Sequence, residues 1–169
     1  MKKMLGALVV LLLCLFSLPA FAHEGREVGE YVIEFGWRVE PAYVGLLNGP
    51  EFTIENHDTD EGVQGLESTL QLRVLFGDQS KLLSVYPVFD NPGHYTADLL
   101  PTRPGDYSFQ LSGSIGEQEV DETFTSADGE FSSIEPATDI MFPAPENDIE
   151  ALEAQIAELV ARIDALTGD

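Results

Sequence analysis

Tyr31-Val32-Ile33-Glu34-Phe35-Gly36-Trp37-Arg38-Val39 is the stretch that decides the fold class. Its odd positions hold Tyr, Ile, Phe, Trp and Val, and its even positions include Glu34, Gly36 and Arg38. Successive side chains of a strand point to opposite faces, so this alternation predicts a strand with one buried face. The same period returns downstream in short pieces. Phe52 and Ile54 alternate with Glu51, Thr53 and Glu55, and Leu70, Leu72, Val74 and Phe76 share one face. A fourth piece covers 81–89. Tyr95, Ala97 and Leu99 make a fifth, Tyr107, Phe109 and Leu111 a sixth, and Val120 and Phe124 a seventh. Turn signals punctuate them: Asn48-Gly49-Pro50, Gly77-Asp78, Pro92-Gly93, Pro104-Gly105 and Gly116. Short strands at this spacing, with no helical pattern between them, predict an all-β chain: a seven-stranded immunoglobulin-like antiparallel β-sandwich. Tyr95 and Tyr107 each start a strand after a Pro-Gly turn. Both are candidates for a tyrosine corner, and both fit equally well as ordinary core tyrosines.

Upstream of the sandwich, residues 1–22 read as a secretory signal. Lys2 and Lys3 are followed by an apolar run and by the small-x-small site Ala20-Phe21-Ala22. The run is shorter than the ~20 residues a membrane helix needs, and no second long run follows. Cys14 follows Leu13, which does not suit lipoprotein processing, so cleavage after Ala22 is the expectation. It would place the protein in the periplasm or outside the cell, without a membrane span. It would also remove the only cysteine, leaving no disulfide, zinc-thiolate site or cysteine nucleophile. Residues 23–169 hold 6 Lys and Arg against 30 Asp and Glu, a net charge of -24. Nucleic acid, which needs a basic surface, is a poor partner for such a chain.

Downstream, the pattern changes. From Ser126 onward, alternation fades and Pro136, Pro143 and Pro145 appear. The sandwich is expected over 23–133 and a Pro-rich linker over 134–147, with Phe131, Ile134, Met141 and Phe142 available to lie on the sandwich. A heptad helix is expected over 148–167, capped by Asn147 or Asp148 and ended by Gly168. Ile149, Leu152, Ile156, Leu159, Ile163 and Leu166 recur at alternating steps of three and four, with Ile at every a position and Leu at every d. That choice favours a parallel two-stranded coiled coil. A helix this short is marginal alone, so the stripe needs a partner: a second copy, its own sandwich or another helix.

Motifs that carry catalysis are missing. Ser112-Gly113-Ser114-Ile115-Gly116 has the wrong order for the Gly-x-Ser-x-Gly nucleophile elbow. There is no phosphate-cradling loop with a lysine and no His-Glu-x-x-His. Asn56, Asp58, Asp60 and Glu67 approach a calcium-loop spacing, but Glu61 stands where that loop needs glycine. The more specific metal candidate is His23. Cleavage after Ala22 would make it the first residue, offering an α-amine and a ring nitrogen to one ion. A second imidazole, from His94 or alternatively His57, would complete a nitrogen set suited to Cu(II).

A family resemblance follows from these residues. Gly36-Trp37-Arg38-Val39-Glu40-Pro41-Ala42-Tyr43-Val44-Gly45 with Asn48-Gly49 resembles the opening of the small exported copper-resistance and YtkA-like envelope proteins of bacteria. Pro101-Thr102-Arg103-Pro104-Gly105-Asp106-Tyr107 and Asp121-Glu122-Thr123-Phe124-Thr125-Ser126 resemble the end of secreted relatives. The resemblance spans 28–133 and implies an immunoglobulin-like fold. In that family copper sits on the terminal His and a later Asp-x-His pair. Here His23 matches, while Pro92 stands two residues before His94. Two functions are therefore expected. One is an exported, non-enzymatic binding module oligomerised through its C-terminal helix, and the alternative is a periplasmic copper-binding protein using His23.

The charge makes its own prediction. Between 0.1 M and 1 M sodium chloride the Debye length falls from ~10 Å to ~3 Å, so screening relieves self-repulsion in the folded state. The melting temperature, followed by circular dichroism, should rise across that range. A flat or falling curve would mean that local pairing already offsets the repulsion.

Overall fold

The computed structural model describes residues 23–143 and 149–167; the expected signal segment and the expected cap residues Asn147, Asp148 and Gly168 lie outside them. Nine strands form two antiparallel sheets. The first sheet contains β1 (His23–Val28), β2 (Tyr31–Trp37), β3 (Pro50–Asn56), β6 (Val85–Pro87) and β7 (His94–Ala97), in the order β1-β2-β3-β7-β6. The second contains β4 (Leu70–Phe76), β5 (Gln79–Leu83), β8 (Ser108–Ile115) and β9 (Gln118–Thr125), in the order β5-β4-β8-β9. Among the described residues one α-helix, α1 (Ile149–Thr167), belongs to a separate unit with the segment that starts at Ala137.

The seven expected strands become nine for two reasons. β1 was not expected because its inward positions, Glu24 and Arg26, are charged, so His23–Val28 shows no apolar alternation. The stretch expected as one strand over 81–89 is two. It leaves the second sheet after Leu83 and joins the first at Val85, while Phe89 ends fully exposed in the following turn.

The inner faces meet in an aromatic core. Phe35 of β2 stacks on Phe124 of β9 with ring centroids 4.5 Å apart and planes 8° apart, and lies 5.2 Å from Phe109 of β8. Trp37 meets Phe109 edge-on at 5.1 Å. Phe35, Trp37, Phe52, Phe109 and Phe124 are all at most 2% exposed. Such pairs contribute ~0.5–1.5 kcal/mol each beyond their buried area.

The segment after β9 belongs to this core. Phe131 and Ile134 are buried, and the Trp37 indole N–H donates to the Ser132 carbonyl at 2.7 Å. Ile134 exchanges two backbone hydrogen bonds with Gly105, and Glu135 donates to the Ala42 carbonyl while accepting from the Val44 N–H. The compact unit therefore ends at Pro136, three residues beyond the boundary expected at 133. Met141 and Phe142 are exposed.

Both tyrosines are anchored, in different ways. The Tyr95 hydroxyl donates to the Val63 carbonyl at 2.7 Å and accepts from the Leu66 N–H at 3.2 Å. The Tyr107 hydroxyl donates to the Arg103 carbonyl, four residues upstream, at 3.1 Å. Only the second reaches back over its own preceding turn. Closing the loops requires close backbone approach at Gly93. Its φ is 79°, and a Cβ there would lie 2.5 Å from the Gly62 Cα.

These contacts rank two substitutions. Phe35→Ala should lower the unfolding free energy by about 3–5 kcal/mol, as large-to-small core changes do. Tyr107→Phe should cost about 1 kcal/mol, the worth of one hydrogen bond. Urea denaturation of both variants measures the difference, and near-equal losses would contradict this description of the core.

Candidate functional site

The three histidines all lie on or beside the first sheet, and the strand register decides whether they meet. His23 pairs with Gly36 at the outer edge of β1, and His94 pairs with Thr53 on β7. β2 and β3 run between them. Three strand spacings of ~4.8 Å separate the two backbones by about 14 Å, and strand side chains stand perpendicular to the sheet, so the rings do not converge. His57 follows β3, and its N–H donates to the Glu30 carbonyl at 2.8 Å in the β1–β2 turn, at the opposite end of β1 from His23. The structure thus brings no pair of histidines together. Among the described residues no cluster of three or more His, Cys, Asp or Glu side chains is placed to hold a metal ion. In the calcium-like loop, the Asn56 side-chain oxygen accepts from the Asp58 and Thr59 N–H groups at 3.1 and 3.2 Å, so it serves the turn.

His94 has local partners instead. The turn across Asp90, whose φ is 59°, carries Asn91 to the ring, and the Asn91 amide nitrogen lies 2.6 Å from His94 Nδ1. Donation from that amide makes Nδ1 the acceptor and leaves the proton on Nε2. Nε2 is buried and 3.0 Å from Glu51 Oε1, but outside hydrogen-bonding angles. This is a histidine–carboxylate pair on the outer face of the sheet. The Thr96 hydroxyl on the same strand is committed elsewhere, donating to the Pro50 carbonyl at 2.8 Å. Ser112 of the expected-negative Ser-Gly-Ser run sits in β8, paired with Gln71 and Asp121.

The charged residues at the sandwich edges were not anticipated. Glu24 and Arg26 point inward from edge strand β1 and pair with each other, while Arg26 Nε lies 3.9 Å from Glu122 of edge strand β9. The Arg26 guanidinium sits 5.9 Å from the Phe124 ring centroid, and the Thr125 N–H donates to Glu24 at 3.4 Å. On the far side, Lys81 takes the inward register of edge strand β5 but stays exposed, and Pro87 occupies edge strand β6. Inward charge and proline on edge strands prevent pairing with other chains. Glu24 is 2% exposed, and burial pushes its carboxyl above the ordinary 4.5 against the opposing pull of Arg26 and the Thr125 N–H. At the end of β2, Arg38 Nη2 lies 3.1 Å from Asp98 and donates to the Asn48 carbonyl at 2.8 Å.

Clefts mark the surface of the sandwich. One of about 560 Å³ is lined by Glu67, Asp90, Asn91 and Tyr95. Others of about 240 and 320 Å³ include Asp98 in one case and Glu30 with Glu117 in the other. A cleft of about 210 Å³ lies between β5 and the crossing segment 99–103. Compared with known protein families and with curated proteins, the chain matches none.

The buried carboxyl gives a pH prediction. A folded-state pKa raised above the unfolded value favours folding below that value, and the advantage is lost as pH rises through the folded pKa. Glu24→Gln cannot ionise, so its stability relative to the parent should increase as pH rises above about 4.5. Thermal melts of both proteins across that range test it. A constant difference would show that Arg26 cancels the burial.

Proposed function

We propose that this protein is an exported, non-enzymatic interaction module: an acidic immunoglobulin-like sandwich carried in pairs by its C-terminal helix. The carrying observation is the apolar stripe of α1. Ile156 and Leu159 are 59% and 56% exposed, and Leu166 is 86% exposed, so one face of a 19-residue helix offers large apolar side chains to water. Ile at a with Leu at d suits a second copy in parallel register. The remaining positions include Ala151, Ala154, Ala157, Ala161 and Ala165, which favour helix, while Val160, 51% exposed, flanks the stripe.

Strand order supports the immunoglobulin-like reading. With β1 set aside as an added edge, β2-β3-β7-β6 follows the order A-B-E-D, and β5-β4-β8-β9 follows C′-C-F-G. Tyr107 then stands just before strand F, bonded to backbone upstream, as a tyrosine corner does. Export rests on the signal pattern of residues 1–22.

Light scattering on the purified protein at tens of micromolar should give a dimer. Ile156→Glu with Leu159→Glu should raise the dimer dissociation constant by at least ten-fold and leave the sandwich's near-ultraviolet spectrum unchanged. A monomeric parent would overturn the proposal, and so would a dimer that ignores both changes.

A further inference from the structure

We infer that the cleft between β5 and the 99–103 crossing binds a small apolar monocarboxylate. Its distinguishing feature is charge. Residues 23–169 carry 30 acids and 6 cations, yet no Asp or Glu lines this cleft, whereas the clefts of about 560, 240 and 320 Å³ each have at least one. Two of those six cations, Lys81 and Arg103, line it, and Lys81 also borders the neighbouring cleft that holds Asp98. Neither has a carboxylate partner among the described residues, while Arg26 and Arg38 are both paired with acids. In a chain this acidic, two uncommitted cations beside one acid-free depression form a local reversal of the molecule's field.

The floor supplies the second half of the chemistry. Phe76 and Tyr107 meet there with ring centroids 4.8 Å apart, beside Val74 and the half-buried Leu99. Leu100, at the rim, is 51% exposed. The Tyr107 hydroxyl is already used in donating to the Arg103 carbonyl. That bond ties the backbone of the cationic rim to the aromatic floor, so the two halves are held together before any ligand arrives. An occupant must therefore place an apolar body on Phe76 and Tyr107 and a negative group toward Lys81 and Arg103.

Size and charge narrow the class. About 210 Å³ is below the ~300–1,000 Å³ of sites for drug-sized ligands, which suits one ring with a short chain. The planar guanidinium of Arg103 matches a carboxylate in its two-pronged geometry, and Lys81 adds a point charge. A monoanion suits this pair better than a phosphate, since a more highly charged group would meet the net -24 of residues 23–169 with only two cations to offset it. Protection of a sheet edge accounts for a lysine at the inward register of β5. It does not account for Arg103, which lies on no edge strand.

The test uses the intact protein with 3-phenylpropionate, its neutral amide and the matching amine, titrated by nitrogen–proton correlation spectra. The carboxylate should bind at least ten-fold more tightly than the amide, with the amine weakest, and shifts should gather at 74–81 and 99–107. Lys81→Met with Arg103→Met changes two exposed side chains and should bring the carboxylate down to the amide's affinity without moving the amide's own. Binding of carboxylate and amide within two-fold of each other would overturn the inference. So would shifts centred on the 88–93 turn, or no binding of either at 10 mM.

Discussion

The stack of Phe35 on Phe124 is the contact on which the rest of the sandwich depends. It joins β2 of one sheet to β9 of the other at 4.5 Å, in a chain whose single cysteine cannot form an internal disulfide. Nothing covalent holds the sheets at their spacing, so ring packing has to set it. Phe109 and Trp37 continue the contact, and Phe131 closes one end of it from the segment after β9. The Trp37–Ser132 hydrogen bond ties that segment back to β2. Moving the sheets apart would strip partners from each of these groups at once. The loops, the edges and the clefts take their positions from this spacing.

The edges solve a second problem with the few cations the sequence has. A sandwich of two open sheets has four edge strands, each a template for unwanted pairing. Here β1 and β9 close one side through Glu24, Arg26 and Glu122, while Lys81 and Pro87 guard the other. Arg38 spends its charge on Asp98, whose carboxyl the Tyr86 hydroxyl and Arg38 hold below the usual carboxylate range. Acids are abundant and dispersed, while Arg26 and Arg38 are held in pairs with acids. This asymmetry gives an acid-free depression its meaning.

The sequence made the sheets and the helix legible wherever burial follows the period. β2, β3, β4 and β8 show it plainly, and the heptad stripe predicts α1 to within one residue of its start. β1 escaped because Glu24 and Arg26 take the inward positions that a reader fills with apolar residues. The break between β5 and β6 escaped because one apolar run spans a change of sheet at Ser84, and a sheet change leaves no mark on alternation. Ile134 was visible as apolar, but its two bonds to Gly105 are long-range facts. The histidines show the same limit: each could be named, but only register shows that two strands part His23 from His94. The cleft draws on β4, β5 and 99–103, so no local pattern contains it. The one signal available was Lys81, a lysine at the inward phase of a strand that also carries Leu83.

Charge and the apolar stripe act in opposite directions in the proposed pair. Each chain brings a large net negative charge, and residues 117–169 hold 15 acids against one Arg. Glu150, Glu153, Glu158 and Asp164 lie within α1 itself, with Arg162 as the helix's only cation. Bringing two such helices into parallel register concentrates like charge along the seam, and the a and d side chains must outweigh that repulsion. Under three heptads of burial leaves a narrow margin. Salt shortens the range of the repulsion and leaves apolar contact intact or strengthened, so it shifts the balance toward association. The same screening relieves repulsion within each sandwich. Folding and pairing then respond to ionic strength with the same sign, for one electrostatic reason, although one is held by aromatic rings and the other by a stripe of Ile and Leu.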